Sequence, residues 1–240
     1  MNMSSDRDTL ISADENRAMF DRIAKNYDAA NRAISLGMDR RWRRKAVEVL
    51  GPVAGGRYLD IGTGTGDLVL ELLEQSPSVQ VDGIDLSERM LDIAKTKASE
   101  KGVGDSVSFF KADATALPMR DACYDGIISG FCVRNIERRR KALTEMHRVL
   151  KPGGRLVVLE AVYPQRTWVR FGYKIYTPFI PLMGALFGSF SAFRYLKESI
   201  EDFPQSEQVV EMFCETGFVR VERCPLLLGA ICIFSAERTF

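Results

Sequence analysis

From Arg57 onward the chain alternates short apolar runs with amphipathic stretches in a steady rhythm. Arg57 to Ile61 predicts a strand, Asp67 to Glu74 a helix, and Val79 to Ile84 a second strand. Ser87 to about Lys101 reads as a helix with Ser87 as its N-cap. Val107 to Lys111 and Tyr124 to Ser129 are the third and fourth strands. The helix Glu137 to Leu150 is stopped by Lys151-Pro152-Gly153-Gly154, and Arg155 to Glu160 is the fifth strand. After a helix from Ser206 to about Thr216, Phe218 to Arg223 and Gly229 to Ser235 close the chain as two more strands. Strand and helix in turn predict an α/β fold, an open and mostly parallel sheet with helices on both faces.

The pattern differs on either side of Arg57 and again after Glu160. Residues 1–13 read as a polar, flexible leader. From Asp14 the spacing of Met19, Phe20 and Ile23 predicts a helix that closes on Tyr27-Asp28, and Asp39 to Leu50 predicts another, stopped by Gly51-Pro52. Together they form an N-terminal helical cap (14–51) on a single domain, 14–240. The run Arg40-Arg41-Trp42-Arg43-Arg44 reads either as the solvated side of that helix or as a contact for anionic lipid headgroups. Between 163 and 204 the alternation breaks. Trp168, Phe171, Tyr173, Tyr176, Phe179, Phe187, Phe190 and Phe193 crowd a stretch interrupted by Pro178, Pro181, Gly184 and Gly188, which suits a lid or an apolar channel wall. The alternative is a helical hairpin packed on the sheet or against a second subunit in a homodimer.

Composition narrows the class of function. A chain of 240 residues with 46% hydrophobic residues can bury a full core, and a net charge of +1 gives no electrostatic reason to expect a nucleic-acid partner. The five cysteines show no C-x-x-C spacing, which argues for free thiols in a reducing compartment and against a metal site. The first residues hold no apolar signal region, and no uninterrupted apolar run is long enough to span a bilayer. A cytoplasmic protein is expected.

The chemistry centres on Tyr-Leu-Asp-Ile-Gly-Thr-Gly-Thr-Gly-Asp at 58–67. Gly62, Gly64 and Gly66 let the backbone turn sharply out of the first strand and approach a ligand closely. Their G-x-G-x-G spacing departs from the dinucleotide fingerprint, and Asp60 and Asp67 would repel a pyrophosphate. Two carboxylates suit a cation, such as the ammonium of S-adenosylmethionine, which carries a sulfonium and no phosphate. Asp85 ends the second strand, followed by Leu86, and is suited to accept both hydrogens of a ribose diol; Asp113, with Ala114 beside it, follows the third strand, where an adenine amine would lie. Each aspartate alone is more simply a cap or turn former, but three in register after successive strands point to one ligand.

Phe-Asp-Arg-Ile-Ala-Lys-Asn-Tyr-Asp at 20–28, Asp-Arg-Arg-Trp-Arg-Arg at 39–44, Arg134-Asn135 after the fourth strand, and above all Tyr-Leu-Lys-Glu-Ser-Ile-Glu-Asp-Phe-Pro at 195–204 resemble the demethylmenaquinone and ubiquinone-biosynthesis C-methyltransferase family, within the class I S-adenosylmethionine-dependent methyltransferases. The resemblance implies a seven-stranded Rossmann-like sheet with a C-terminal antiparallel pair. It implies methyl transfer to a ring carbon of a polyprenylated quinol, taken from a membrane surface that the enzyme visits peripherally, at the inner face of the membrane. The cofactor site would include Thr65, Asp85 and Asp113-Ala114. The family's serine after the fourth strand falls on Gly130, with Ser129 adjacent. Other departures are Cys132 in place of a glycine, Ala161 and Val162 in Leu-Glu-Ala-Val-Tyr-Pro, and Phe234 in place of a histidine. All are expected near the acceptor pocket, where they would alter the acceptor.

For a quinol carbon to attack a sulfonium methyl, an adjacent hydroxyl should lose its proton, and a fixed cation favours the phenolate. Arg134 with Asn135 is implied to line this site, and Tyr27 and Asp28 are candidates for orienting the hydroxyl or relaying its proton. The competing readings are a half-buried lid residue for Tyr27 and a structural ion pair for Arg134. The sole histidine, His147, sits within a helix away from the strand ends, so a mechanism without histidine is expected. Two further functions stay open: methylation of another small hydrophobic acceptor, and a non-catalytic cofactor-binding subunit of a quinone-biosynthesis assembly.

Overall fold

The alternating segment forms seven strands: β1 (Arg57–Ile61), β2 (Gln80–Asp85), β3 (Val107–Lys111), β4 (Tyr124–Gly130), β5 (Leu150–Ala161), β6 (Phe218–Leu226) and β7 (Ile231–Arg238). They make one sheet in the order β3-β2-β1-β4-β5-β7-β6, in which β7 alone is reversed against its neighbours. In this computed structural model residues 11–186 and 190–239 are described; most of the expected leader, 1–10, and Phe187 and Gly188 of the aromatic stretch lie outside them.

The helices are α1 (Ala13–Ile23), α2 (Tyr27–Ile34), α3 (Asp39–Leu50), α4 (Asp67–Gln75), α5 (Glu88–Glu100), α6 (Arg139–Val149), α7 (Thr167–Tyr176), α8 (Phe179–Leu186), α9 (Phe190–Asp202) and α10 (Ser206–Glu215). Leu59 and Ile61 of β1 face one apolar layer, made with Leu143 and Met146 of α6 and Val209 and Phe213 of α10. Tyr58, on the other face, joins Val47 and Leu50 of α3 and Val69 and Leu72 of α4. A third cluster, with Met19, Ile23, Ala30, Ile180 and Phe193, holds α1, α2, α8 and α9 together beyond the sheet.

Four features differ from the sequence expectation. The first helix does not close on Tyr27-Asp28: it ends at Ile23, a 3-10 turn covers Ala24–Asn26, and Tyr27 opens α2. The end of the leader is a cap, because Ser12 and Glu15 form a reciprocal capping box at the start of α1. The stretch after Glu160, expected to be broken and lid-like or else a helical hairpin, is helical as α7, α8 and α9; Pro178 falls between α7 and α8 and Pro181 in the first turn of α8, where the missing N–H is tolerated. The turn Lys151-Pro152-Gly153-Gly154 ends α6 as expected but is absorbed into β5 as an irregularity, with Leu150 opposite Tyr124 and Arg155 opposite Gly126.

Candidate active site

From β1 the chain winds outward through β2 to β3, then returns to place β4 on the other side of β1. The loops after β1 and β4 therefore diverge and leave a crevice at their carboxyl ends, the usual ligand position in an open sheet of this kind. A cavity of about 130 Å³ lies there, and Gly62, Gly64, Asp85, Leu86, Asp113, Ala114 and Gly130 all line it. Gly62 has φ +68°, and a Cβ on it would meet Cys132 Sγ at 2.2 Å, so the glycine is required twice over. Gly64 donates its N–H to Asp85 Oδ2 at 2.9 Å, and Ser87 donates to Oδ1 at 2.9 Å; burial nonetheless pushes the Asp85 carboxyl up. Asp113 accepts from the Thr115 N–H at 2.7 Å, which pins the turn after β3. Ala13, Asn16, Arg17 and Phe20 of α1 close the cavity from above.

Asp60 lies next to the lining residues Ile61 and Gly62, wholly buried, and neither carboxylate oxygen finds a hydrogen-bond partner among the described residues. A buried, unpaired carboxylate is costly. Burial, reinforced by Asp85, pushes its pKa up to about 7. Such a group fits the ammonium of an amino-acid-like ligand, which would supply the missing partner. Asp67, expected to share this role, does not: it pairs with Lys97 and lies 3.6 Å from Arg43. Its charge is already answered within the protein.

The other expected residues are placed less directly. The Thr65 hydroxyl donates to Asp28 Oδ1 at 2.6 Å, and Lys97 reaches Asp28 Oδ2 at 3.0 Å. Asp28 thus anchors α2 to the glycine loop and lines neither cavity, in contrast to its expected part in proton relay. Gly66 has φ +83° and ends the loop against Ala94, 3.1 Å from where its Cβ would stand. Ser129 is fully buried and donates to the Ile61 carbonyl at 2.7 Å, tying β4 to the end of β1 behind the cavity.

A second cavity of about 200 Å³ adjoins the first, and Phe20, Tyr27, Phe131 and Asn135 line both. Its remaining wall is largely apolar, from Met19, Trp42, Tyr173, Ile180, Phe193 and Ile200, with Arg43 and Arg134 as the cations. Burial raises the Tyr27 pKa; a hydrogen bond with Asn31 and the charges of Arg134 and Arg43 only partly offset it. Arg134 is almost fully buried and donates to Glu160 Oε1 at 2.5 Å, to the Phe131 carbonyl at 2.8 Å and to Ser199 at 3.3 Å. The ion-pair reading of Arg134 therefore holds, and its charge does not stand free to stabilise a phenolate. Asn135 leaves a buried side-chain oxygen without a partner among the described residues, at the junction of the cavities.

Phe234 lies in the core between the sheet and α10, 6.3 Å from the Phe213 ring, so this departure is far from the acceptor wall; Ala161 and Cys132 do line the cavities. His147 packs edge-on to Phe218 at 5.1 Å, outside both. Asn16, Phe131 and Glu160 were not singled out from the sequence, and Arg43 was read only as part of the arginine run of α3. Phe131 has φ +57°, a strained conformation for a bulky residue, and no residue pattern signals that strain. Glu160 was legible only as the end of a strand.

A family model described as the ubiE/COQ5 methyltransferase family matches residues 9–238. The chain is similar to a demethylmenaquinone methyltransferase of Thermus thermophilus, 44% identical over 89% of this chain and 97% of the relative. It is similar also to the ubiquinone/menaquinone biosynthesis C-methyltransferase UbiE of Geotalea daltonii, 38% identical over 92% of this chain and 94% of that protein. Among solved structures, a SAM dependent methyltransferase from Aquifex aeolicus superposes with a TM-score of 0.61 at 22% identity, covering 81% of this chain and 88% of that one, a likeness of fold.

Proposed function

The chain belongs to the ubiE/COQ5 methyltransferase family, and from that premise we propose how its two cavities divide the work of an S-adenosylmethionine-dependent C-methyltransferase of respiratory quinone biosynthesis. The acceptor is a polyprenylated quinol, demethylmenaquinol or a benzoquinol precursor of ubiquinone, methylated at a ring carbon. One observation carries the assignment: a cavity walled by glycines and aspartates shares Phe20, Tyr27, Phe131 and Asn135 with an apolar, aromatic one. Donor and acceptor bound in the two would meet across that common wall.

When bound, S-adenosylmethionine supplies a sulfonium methyl to a carbon nucleophile. Asp60 would pair with its ammonium; Gly62, Gly64, Thr65 and Gly66 shape the loop that the ligand would approach; Asp85 and Leu86 would hold the ribose, Asp113 and Ala114 the adenine; Gly130 lines the opposite wall, braced from behind by Ser129. Tyr27 and Asn135 orient the quinol hydroxyl beside the reacting carbon, while Arg134, fixed by Glu160, shapes the Phe131 turn between the cavities. The chain's main contribution is alignment and exclusion of water. Aromatic side chains of α7 and α9, with Ile180 of α8, enclose the start of the prenyl tail.

Incubating the protein with labelled S-adenosylmethionine and a membrane quinol extract, followed by mass spectrometry of the lipids, tests the reading. A labelled, once-methylated quinone is expected; a label confined to water-soluble products overturns it.

A further inference from the structure

The outer side of α7 carries Trp168, Phe171 and Ile175 at spacings of three and four residues, and Phe179 continues the same row into α8. They are 61%, 69%, 54% and 55% exposed, so an entire helix face of large apolar side chains is left uncovered. The inner side packs: Tyr173 lines the acceptor cavity, and Tyr176 donates to the Ile34 carbonyl at 2.6 Å. That bond ties α7 to the end of α2, where Leu36 stands 77% exposed. Tyr176 and Leu227 line the acceptor cavity and yet are themselves exposed, which places the cavity's opening beside this face.

Along the chain the patch carries charge of one sign. From Ala161 to Lys197 the chain has no acidic residue. Arg166 at the start of α7 and Lys174 in its last turn are exposed, as are Arg40 and Arg41 at the start of α3, just past Leu36. None of these four is drawn into an ion pair with a described acidic side chain, whereas Arg43 and Arg44 of the same run pair with Asp39 and Glu71. A symmetric contact with a second copy would set these cations against themselves. An anionic bilayer surface instead accepts apolar side chains below its headgroups and cations among them.

We infer that the α7 face and the Leu36 turn form an in-plane anchor for an anionic membrane surface, seated so that the acceptor cavity opens toward the lipid. The surface itself follows from exposure and charge; only the cargo it admits, a lipid-tailed acceptor, rests on the proposed function. No described helix is long and apolar enough to cross a membrane, so the contact is one of surface docking.

Co-sedimentation of the full chain with vesicles of phosphatidylcholine, with and without phosphatidylglycerol, tests the anchor. Binding is expected for the anionic vesicles and should weaken as salt rises. The double variant Trp168→Ser/Phe171→Ser should bind about tenfold less tightly, with unchanged uptake of S-adenosylhomocysteine by calorimetry. Arg166→Glu/Lys174→Glu, which touches no apolar contact, should remove the preference for anionic vesicles. Equal partitioning of all three proteins overturns the inference. So does a concentration-dependent dimer that the apolar variant dissolves while vesicle binding is absent. Wild-type protein that binds vesicles but takes up no cofactor keeps the anchor and sinks the methyltransferase reading.

Discussion

Arg134 and Glu160 are bound twice over. The guanidinium donates to Oε1 at 2.5 Å and the Arg134 backbone N–H to Oε2 at 3.2 Å, with both side chains almost wholly withdrawn from water. Glu160 also accepts from the Ala161 N–H at 3.0 Å, so the end of β5 is locked to the turn after β4. Arg134 then reaches back to the Phe131 carbonyl and holds that residue in its strained conformation at the wall between the cavities.

Removing one partner of such a pair strands the other charge in the interior. Glu160→Ala should lower stability by about 3–5 kcal/mol in denaturant unfolding, and Glu160→Gln, which keeps an acceptor, by less. A loss below about 1 kcal/mol for the alanine variant would mean that the pair is not what fixes this turn.

Gly62 and Cys132 make a steric test of the glycine loop. Gly62→Ala should weaken both folding stability and S-adenosylhomocysteine uptake, because its Cβ would stand 2.2 Å from Cys132 Sγ. Adding Cys132→Gly should recover the collision but leave the cost of a non-glycine residue at φ +68°, about 1–2 kcal/mol. Calorimetry on both variants decides it; no recovery in the double variant would assign the defect to the backbone alone.

The strands of the parallel core could be read from sequence because each is a short apolar run bounded by turn residues, and Arg57–Ile61 and Val107–Lys111 match their predicted limits. So did the residues at strand ends, since Asp85 and Asp113 need only their strands to be placed. What escaped were consequences of distance in the chain. Glu160 and Arg134 are 26 residues apart, and Thr65 and Asp28 are 37, so nothing local marks either pair. The helices α7 to α9 were legible only as the alternative of a helical hairpin. Proline and glycine in an aromatic run suggest irregular backbone, but helix junctions also use them, and packing of α8 and α9 against α1 and α2 decided between the two.

Asp60 should give cofactor uptake an acidic limb. In the free protein burial holds its pKa up near about 7, above its value in the unfolded chain, so the folded state binds the extra proton. Stability of the free protein should therefore fall as pH rises from the ordinary carboxylate range through about 7. An ammonium ligand favours the ionised carboxylate, so affinity should drop below pH 7 by up to about tenfold per unit. Calorimetric titrations across pH on wild type and Asp60→Asn test this. The variant should bind weakly with no acidic limb, and a limb that persists in it would belong to another group.

Tyr27 offers the cleanest probe of the reaction itself, because Arg134 cannot be removed without stranding Glu160. Its phenol stands where both cavities meet, faces the charges of Arg134 and Arg43, and is protonated at neutral pH, a state that burial favours further. It can therefore donate to a quinol oxygen while the ring carbon takes the methyl group. Tyr27→Phe keeps the ring and its contact with Phe20 at 6.0 Å and removes only the hydroxyl. Turnover should fall about 100-fold, with S-adenosylhomocysteine affinity within about threefold of wild type. A purely packing role for Tyr27 predicts the opposite split, unchanged kcat with altered stability, and single-turnover kinetics beside an unfolding curve separate the two.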